Sequence, residues 1–384
     1  MGDATIEMPT ASREVTDMKK QIYPPHLTVP PDTVTALRCH DGPNIIETPD
    51  LNHVQELSKP PFLGSELANE ADVPAARQWL EDVVMNLPRG PPATAFRRPV
   101  AELKIENVTV MYSDDQSFRI RIYSPTSPNQ GKRPALVLYH GGGWVHGYPE
   151  VDEDLAKFFA SELDAIVFNV DYRLAPENQF PVPLDDCYQS IQWVIYHAST
   201  YGIDTEKLAI WGCSAGGNLA AAVALRDATE HEIPRICHVS LVVPLTCHPR
   251  LYPDSMQVKT SSVNMLEHRD LGLIGVQVLL DKYAGDKCCS DLVSVLNAPA
   301  PQNHPPVSTT VGGRDYLRDE GILYSLRLRD QGIDSQLEII PGMPHGITFP
   351  PTTHAARQFF INQARVLDNA YQRAKGKKRF GGSV

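Results

Sequence analysis

The sequence predicts an α/β chain with a mostly parallel central sheet, flanking helices and a helical cap. Short continuous apolar runs recur at 135–138, 165–168, 208–211, 239–243 and 307–311, separated by segments of helical character such as 184–197 and 218–226. Such runs suit strands covered on both faces, the pattern of parallel strands joined by crossover helices. Ahead of them, Phe118, Ile120 and Ile122 alternate with Arg119, Arg121 and Tyr123, the period-two texture of a half-buried strand. The alternation of strands and helices then breaks at 248–290. There Leu271, Leu273, Ile274, Val276, Val278, Leu279 and Leu280 are apolar nearly all round a helix. A helix of that kind is buried or roofs an apolar pocket.

From the N-terminus, residues 1–104 read as a proline-punctuated segment that contributes to the cap. The pairs Pro24-Pro25, Pro30-Pro31, Pro60-Pro61 and Pro91-Pro92 each interrupt regular structure. One stretch differs: Pro74 opens a run with Trp79, Leu80, Val83, Val84 and Leu87 on one face, stopped by Pro88 and Gly90. That is an amphipathic helix. Residues 105–375 form the α/β domain, and the 248–290 insertion pairs with the N-terminal segment as a lid. A short strand is expected at 336–340 and a final helix at 355–373, covering one face of the sheet. Residues 376–384 are a tail, where the basic run ending at Arg379 reads as a solvated end. No internal repeat is visible.

Composition narrows the function. With 384 residues, 42% hydrophobic and 21% charged, the chain can bury a large core and is not disordered as a whole. Its net charge of -11 argues against a nucleic-acid partner, because phosphate binding needs a basic surface. No stretch approaches the roughly 18 apolar residues of a membrane span. The opening MGDATIEMPTASREV lacks the basic and apolar regions of a secretory signal, and Ile6 stands where a myristoylation motif wants Ser or Thr. Seven cysteines, an odd number without a C-x-x-C pair, read as reduced thiols. A cytoplasmic protein is expected, with a small molecule as its partner and a homodimer left open as its assembly.

The sharpest motif is Gly212-Cys-Ser214-Ala-Gly216, directly after the run 208–211 and directly before a helix-forming stretch. It is a G-x-S-x-G elbow in strand-turn-helix context, which presents a serine as nucleophile. A side chain two residues to either side would collide with the serine, so glycines flank it. The helix that follows aims its first amides at the reacting oxygen. The second motif, His140-Gly-Gly-Gly143-Trp144, ends the strand at 135–139. Its glycines let backbone amides approach a ligand, so Gly141 and Gly142 can join the amide of Ala215 in an oxyanion hole.

A serine nucleophile needs a base, and the base an orienting carboxylate, in the order serine, acid, histidine. His345 lies in Gly342-Met-Pro-His345-Gly346, after the strand at 336–340. Asp315 follows the strand at 307–311 and the Gly312-Gly313 turn. Both emerge at strand carboxyl ends, where α/β sites assemble. Asp319 competes with Asp315, but its place at the start of the next helix gives it a capping role instead. Cys213 should point beneath the elbow rather than act as nucleophile.

Four motifs taken in order, His140 to Trp144, Asp171-Tyr-Arg-Leu-Ala-Pro-Glu177, Gly212 to Gly217 and Asp315-x-Leu-Arg-Asp-Glu320, resemble the hormone-sensitive lipase family of α/β-hydrolases over residues 105–372. The resemblance implies the α/β-hydrolase fold, Ser214, Asp315 and His345 as catalytic residues, and Gly141, Gly142 and Ala215 as oxyanion donors. It gives Asp171 and Glu177 a structural role near the oxyanion loop. It also implies a lid built from the N-terminal segment and the insertion after the sixth strand. The sequence departs from the family's pattern at Cys213, usually Asp or Thr, at Tyr316, commonly proline, and in a longer N-terminal segment. The expected reaction is hydrolysis of a small or medium uncharged ester through an acyl-enzyme, with no metal or organic cofactor. Two other readings stand beside it. One is different chemistry on the same fold: amide or lactone hydrolysis, acyl transfer, elimination or cyclisation. The other is a ligand-binding protein like the plant gibberellin receptors, which have lost the histidine that His345 provides here.

Overall fold

The computed structural model describes residues 73–74, 77–78, 95–113, 116–129, 131–252, 273–313, 315–340, 343, 345 and 354–376. Within these, the strands are β1 (Leu103–Ser113), β2 (Gln116–Pro125), β3 (Arg133–Tyr139), β4 (Ile166–Asp171), β5 (Ile203–Cys213), β6 (His238–Val242), β7 (Val307–Gly312) and β8 (Ser335–Ile340). They form one sheet in the order β1-β2-β4-β3-β5-β6-β7-β8. β1 pairs with β2, and β2 with β4, antiparallel; the pairs from β4-β3 to β7-β8 are parallel. The helices are α1 (Glu153–Leu163), α2 (Val182–Tyr196), the single turn α3 (Ala198–Tyr201), α4 (Ala215–Glu230), α5 (Leu273–Ala284), α6 (Arg318–Asp330) and α7 (His354–Gly376).

The sheet is covered on both faces, as its unbroken apolar runs predict. On one side α1 and α7 bury Phe158, Phe159, Phe359, Phe360 and Leu367 against Leu136, Leu138 and Trp211. On the other, α2, α4 and α6 pack Leu184, Ile191, Leu219, Val223 and Leu323 against Val137, Ile210 and Val239. Residues that alternate along each strand therefore feed two separate cores. In α7 the buried positions Phe359, Phe360, Gln363, Ala364, Leu367 and Tyr371 follow the helical repeat. The polar member among them is satisfied: Gln363 accepts from Trp211 Nε1 at 3.1 Å and donates to Thr310 Oγ1 at 3.0 Å.

β2 keeps the alternation read from its sequence over 118–122 but not at Tyr123, which is fully buried in the core of α1 and α7. Phe118, Ile120 and Ile122 are buried, while Arg119 reaches Asp171 (2.8 Å) and Glu150 (2.6 Å), and Arg121 reaches Glu153 (2.8 Å). β1 is an element that the apolar runs do not announce. It is an edge strand in which only Val110 is buried, so hydrophobicity marks it weakly. The amphipathic stretch from Trp79 to Leu87, the residue Leu271 of the insertion and the tail beyond Gly376 lie outside the described residues. Among the described residues no helix is long and apolar enough to cross a membrane.

A buried carboxyl roots the loop after β6. Glu320, in the first turn of α6, accepts from the amide of Thr246 at 2.5 Å and from the hydroxyl of Tyr252. Burial pushes its pKa up to about 8, against those hydrogen bonds, which favour the ionised form. The folded state thus holds a proton that the unfolded chain releases near the ordinary Glu value of 4.5. The associated stability is present in full below that value and is lost as pH rises toward 8. Buried histidines such as His140 act in the opposite sense, so the comparison needs a variant. Glu320→Gln should show a shallower fall in melting temperature between pH 5 and 8 than the unsubstituted protein, measured by thermal unfolding across that range.

Candidate active site

The site is built at the carboxyl ends of the central strands, beginning with the turn between β5 and α4. Ser214 stands between the last residue of β5 and the first of α4 with φ 54° and ψ −117°, a conformation that side-chain-bearing residues rarely adopt. Hydrogen bonds hold it from three sides. Its amide donates to Val242 O (2.9 Å), and its carbonyl accepts from Asn218 N (3.0 Å) and Leu245 N (3.3 Å). The flanking glycines are required for a reason different from the one the motif suggests. A Cβ at Gly212 would sit 2.1 Å from the carbonyl oxygen of Gly216, and one at Gly216 would sit 2.0 Å from that of Tyr139. The collisions are with backbone, not with the serine side chain, because the elbow folds strand and helix into direct main-chain contact.

The structure brings Ser214, His345 and Asp315 together across long stretches of chain. Ser214 Oγ lies 2.9 Å from His345 Nε2, and His345 Nδ1 lies 3.0 Å from Asp315 Oδ1. The carboxylate is fully buried, and the imidazole is 21% exposed. Since a carboxylate only accepts, Nδ1 carries the ring proton, which leaves Nε2 to accept from the serine hydroxyl. Asp315 Oδ1 also accepts from the amide of Leu317 at 2.8 Å, which fixes the carboxylate in its turn.

Asp319 stands in the first turn of α6, as its sequence position suggests, although the capping position falls on Leu317. α6 starts at Arg318, and no side chain of the capping residue Leu317 bonds to the helix amides. Asp319 instead pairs with the buried Arg318, Nε to Oδ1 at 2.8 Å, while Arg318 Nη1 donates to Gly313 O at 2.9 Å. A buried guanidinium one residue away gives the carboxylate a charged partner, a stronger attraction than a neutral amide offers. Cys213 is partly buried against the core of α1 and α7, and burial pushes its thiol well up, so it stays protonated.

The second motif supplies two oriented peptide planes. Tyr172 donates its hydroxyl to His140 O at 2.8 Å, and the ring of His140 meets Gly141 O at 2.8 Å through Nδ1. Because a trans peptide points its N–H opposite to its C=O, these two contacts set the directions of the Gly141 and Gly142 amides. Gly141 abuts the elbow: a Cβ there would meet Cys213 O at 3.2 Å and Ser214 Cβ at 3.6 Å. Ala215, at the start of α4, adds an amide that helix geometry leaves unpaired within the helix. Burial pushes the pKa of His140 down to about 4, which keeps its ring neutral. The proton therefore sits on Nδ1, the nitrogen that meets a carbonyl. Tyr172 also stacks on His140, with centroids 4.1 Å apart.

Gly142 has φ +122° and Gly143 φ +60°, so glycine is the natural occupant of both positions. Helix α5, from the insertion, lies over this loop. Leu279 would be 2.6 Å from a Cβ at Gly143, and Tyr283 stacks on Trp144 with centroids 4.4 Å apart.

Asp171 and Glu177 lie near the glycine loop as the motif resemblance implies, each held by an arginine. The partner of Glu177 escaped the sequence reading: Arg77, from the N-terminal segment. Its guanidinium meets both Glu177 carboxylate oxygens (2.7 and 2.8 Å), Ala175 O (2.9 Å) and, through Nε, Val145 O (2.6 Å). One side chain thereby joins the N-terminal segment, the 171–177 turn and the end of the glycine loop. No local pattern signals this, because its partners are 68 to 100 residues away. Tyr172 and His140 were legible within their motifs, but not as the residues that orient the amides. Among the described residues no group of His, Cys, Asp or Glu is arranged to hold a metal ion.

Residues 136–349 match the alpha/beta hydrolase fold family, a span that contains the elbow, the glycine loop, Asp315 and His345. The chain belongs to this α/β-hydrolase family. It is 31% identical to the esterase LipI of Mycobacterium tuberculosis over 319 residues, covering 78% of this chain and 91% of that one. The versiconal hemiacetal acetate esterase of Dothistroma septosporum is 30% identical over 288 residues, 73% of this chain and 87% of its own. A solved hyperthermophilic esterase from Pyrobaculum calidifontis superposes with a TM-score of 0.71 at 27% identity, covering 84% of this chain and 98% of that one. Esterases recur among these relatives, which sets the chain among the carboxylesterase-type hydrolases of the family.

The Arg77 contacts carry a testable consequence for this α/β-hydrolase. Arg77→Ala should slow ester turnover on the order of tenfold by loosening the oxyanion loop. Glu177→Gln leaves the bonds of Arg77 to Val145 O and Ala175 O in place and should cost less, and the double variant should be little worse than Arg77→Ala, since both lack the Arg77–Glu177 contact. Turnover at saturating ester, measured for the three variants, checks both points.

Proposed function

We propose that this protein is a serine carboxylesterase of the hormone-sensitive lipase type, hydrolysing small or medium uncharged esters with Ser214 as nucleophile, His345 as base and Asp315 as orienting acid. The observation that carries this reading is the continuous series of hydrogen bonds from Ser214 Oγ through His345 to Asp315, at 2.9 and 3.0 Å. Ser214 Oγ attacks the ester carbonyl while His345 Nε2 takes its proton, and the carbonyl oxygen becomes an oxyanion. The amides of Gly141, Gly142 and Ala215 receive that charge in directions set before the substrate arrives. His345 then returns the proton to the departing alcohol oxygen, which leaves an acyl-enzyme. Water, deprotonated in turn by His345, attacks the acyl carbon, and His345 passes that proton to Ser214 Oγ as the acyl–oxygen bond breaks and the carboxylic acid leaves.

The substrate class follows from the surroundings. Helix α5 and the N-terminal segment act as the lid, and Val276, Leu279 and Leu280 of α5 are apolar, so a neutral acyl or alcohol group is preferred to a charged one. The resemblance of the four sequence motifs to the hormone-sensitive lipase family supports the same assignment.

Ser214→Ala should abolish turnover of p-nitrophenyl esters across a series of acyl chain lengths, and a fluorophosphonate probe should label the unsubstituted protein at Ser214 alone. Labelling that persists in the Ser214→Ala variant would remove the serine from its role. The choice between the two acids has a sharper signature. Asp315→Asn should cost on the order of ten-thousandfold in turnover with little change in melting temperature. Asp319→Asn removes the charge that faces the buried Arg318 and should cost about 3 kcal/mol of stability while sparing turnover of the folded enzyme. Ester kinetics alongside thermal unfolding of both variants separates the roles.

A further inference from the structure

Two hydrogen bonds locate the imidazole of His345 but do not fix its plane. Nδ1 and Nε2 flank Cε1 on one edge of the ring, one bonded to Asp315 and the other to Ser214. The line through those contacts is an axis about which a flat ring can rock without lengthening either bond much. Because the two nitrogens sit to one side of that line, rocking carries them out of the carboxylate plane and off the serine O–H direction, and a misaligned hydrogen bond weakens. A contact on the ring face is what would remove this freedom.

Tyr316 makes that contact. Its ring lies against His345 with centroids 4.8 Å apart and an interplanar angle of 32°. Tyr316 is half-buried and packs against the main core. It also occupies a pinned turn: Leu317 N bonds to Asp315 Oδ1 at 2.8 Å, and Arg318 N bonds to Asp315 O at 3.1 Å. The same turn thus presents the carboxylate to one nitrogen of His345 and an aromatic face to the ring.

We propose that Tyr316 is a positioning residue for the proton transfer, its ring holding the His345 imidazole in the plane that serves Asp315 and Ser214 together. This rests on the reading of those three residues as the catalytic triad. The aromatic face has a second effect in the same direction. When Nε2 takes the serine proton the imidazole becomes a cation, and a cation is attracted to the electron-rich face of a phenol ring. The hydroxyl plays no part in either effect, so phenylalanine should serve as well as tyrosine.

The experiment compares Tyr316→Leu, Tyr316→Met and Tyr316→Phe by ester kinetics, by the rate of fluorophosphonate labelling at Ser214 and by melting temperature. Leucine and methionine fill the space without an aromatic face, and two such variants guard against one that fails to fold. Both should lower kcat on the order of tenfold with KM nearly unchanged, and should slow labelling by a similar factor. Tyr316→Phe should restore kcat and labelling rate to those of the unsubstituted protein. Full kcat in a folded leucine or methionine variant would overturn the proposal. So would a Phe variant as slow as the leucine one, or a loss confined to KM. An unsubstituted protein that turned over no ester and took no label would instead overturn the triad reading itself, a result distinct from each of these.

Discussion

The backbone of Ser214 is the constraint on which the site depends. A residue with a side chain held at φ 54° costs on the order of 1–3 kcal/mol, and persists only where its surroundings over-determine it. Here they do: β6 offers the carbonyl of Val242, while α4 and the loop after β6 send the amides of Asn218 and Leu245 to the serine carbonyl. Main chain from β3, β5 and α4 meets so closely at the elbow that Gly212 and Gly216 leave no space for a Cβ. The turn raises the hydroxyl above the sheet edge, where loops from other strands can reach it.

Around the serine, orientation is achieved by hydrogen bonds to the opposite ends of the groups that matter. The amides of Gly141 and Gly142 are aimed by what holds their partner carbonyls, the Tyr172 hydroxyl and the neutral His140 ring. His140 can do this because burial keeps it uncharged. The Asp315 carboxylate is likewise held by the amide of Leu317 before it meets His345. Donors fixed in advance need not reorganise as charge develops, which is where an enclosed site gains over water.

Contacts far apart in sequence then brace this arrangement from outside. Arg77 grips the turn at Ala175–Glu177 and the carbonyl of Val145, and α5 lays Leu279 and Tyr283 on the glycine loop from above. Beneath the acid loop, the buried Arg318–Asp319 pair ties α6 to Gly313, and Glu320 ties it to the segment that leads into the insertion. Two buried acidic side chains in the first turn of α6 thus serve the packing of the site, although their position alone suggests a response to the helix dipole.

The sequence by itself determined the layered fold, because strands covered on both faces must be apolar throughout and helices between them must repeat at 3.6 residues. It also determined the elbow and the glycine loop, whose backbone conformations only particular residues tolerate, and through chain order it singled out Asp315 and His345. Only the tertiary structure decided what depends on distance rather than pattern. β1 carries too little apolar surface to announce itself, and Asp319 takes its partner from a neighbouring guanidinium that turns inward with it. Arg77 finds its partners 68 to 100 residues away, and Tyr316 meets His345 only because the strands that carry the two loops lie side by side. Local sequence encodes which conformations a segment can adopt. Which side chains then meet is set by how the sheet aligns its strand ends.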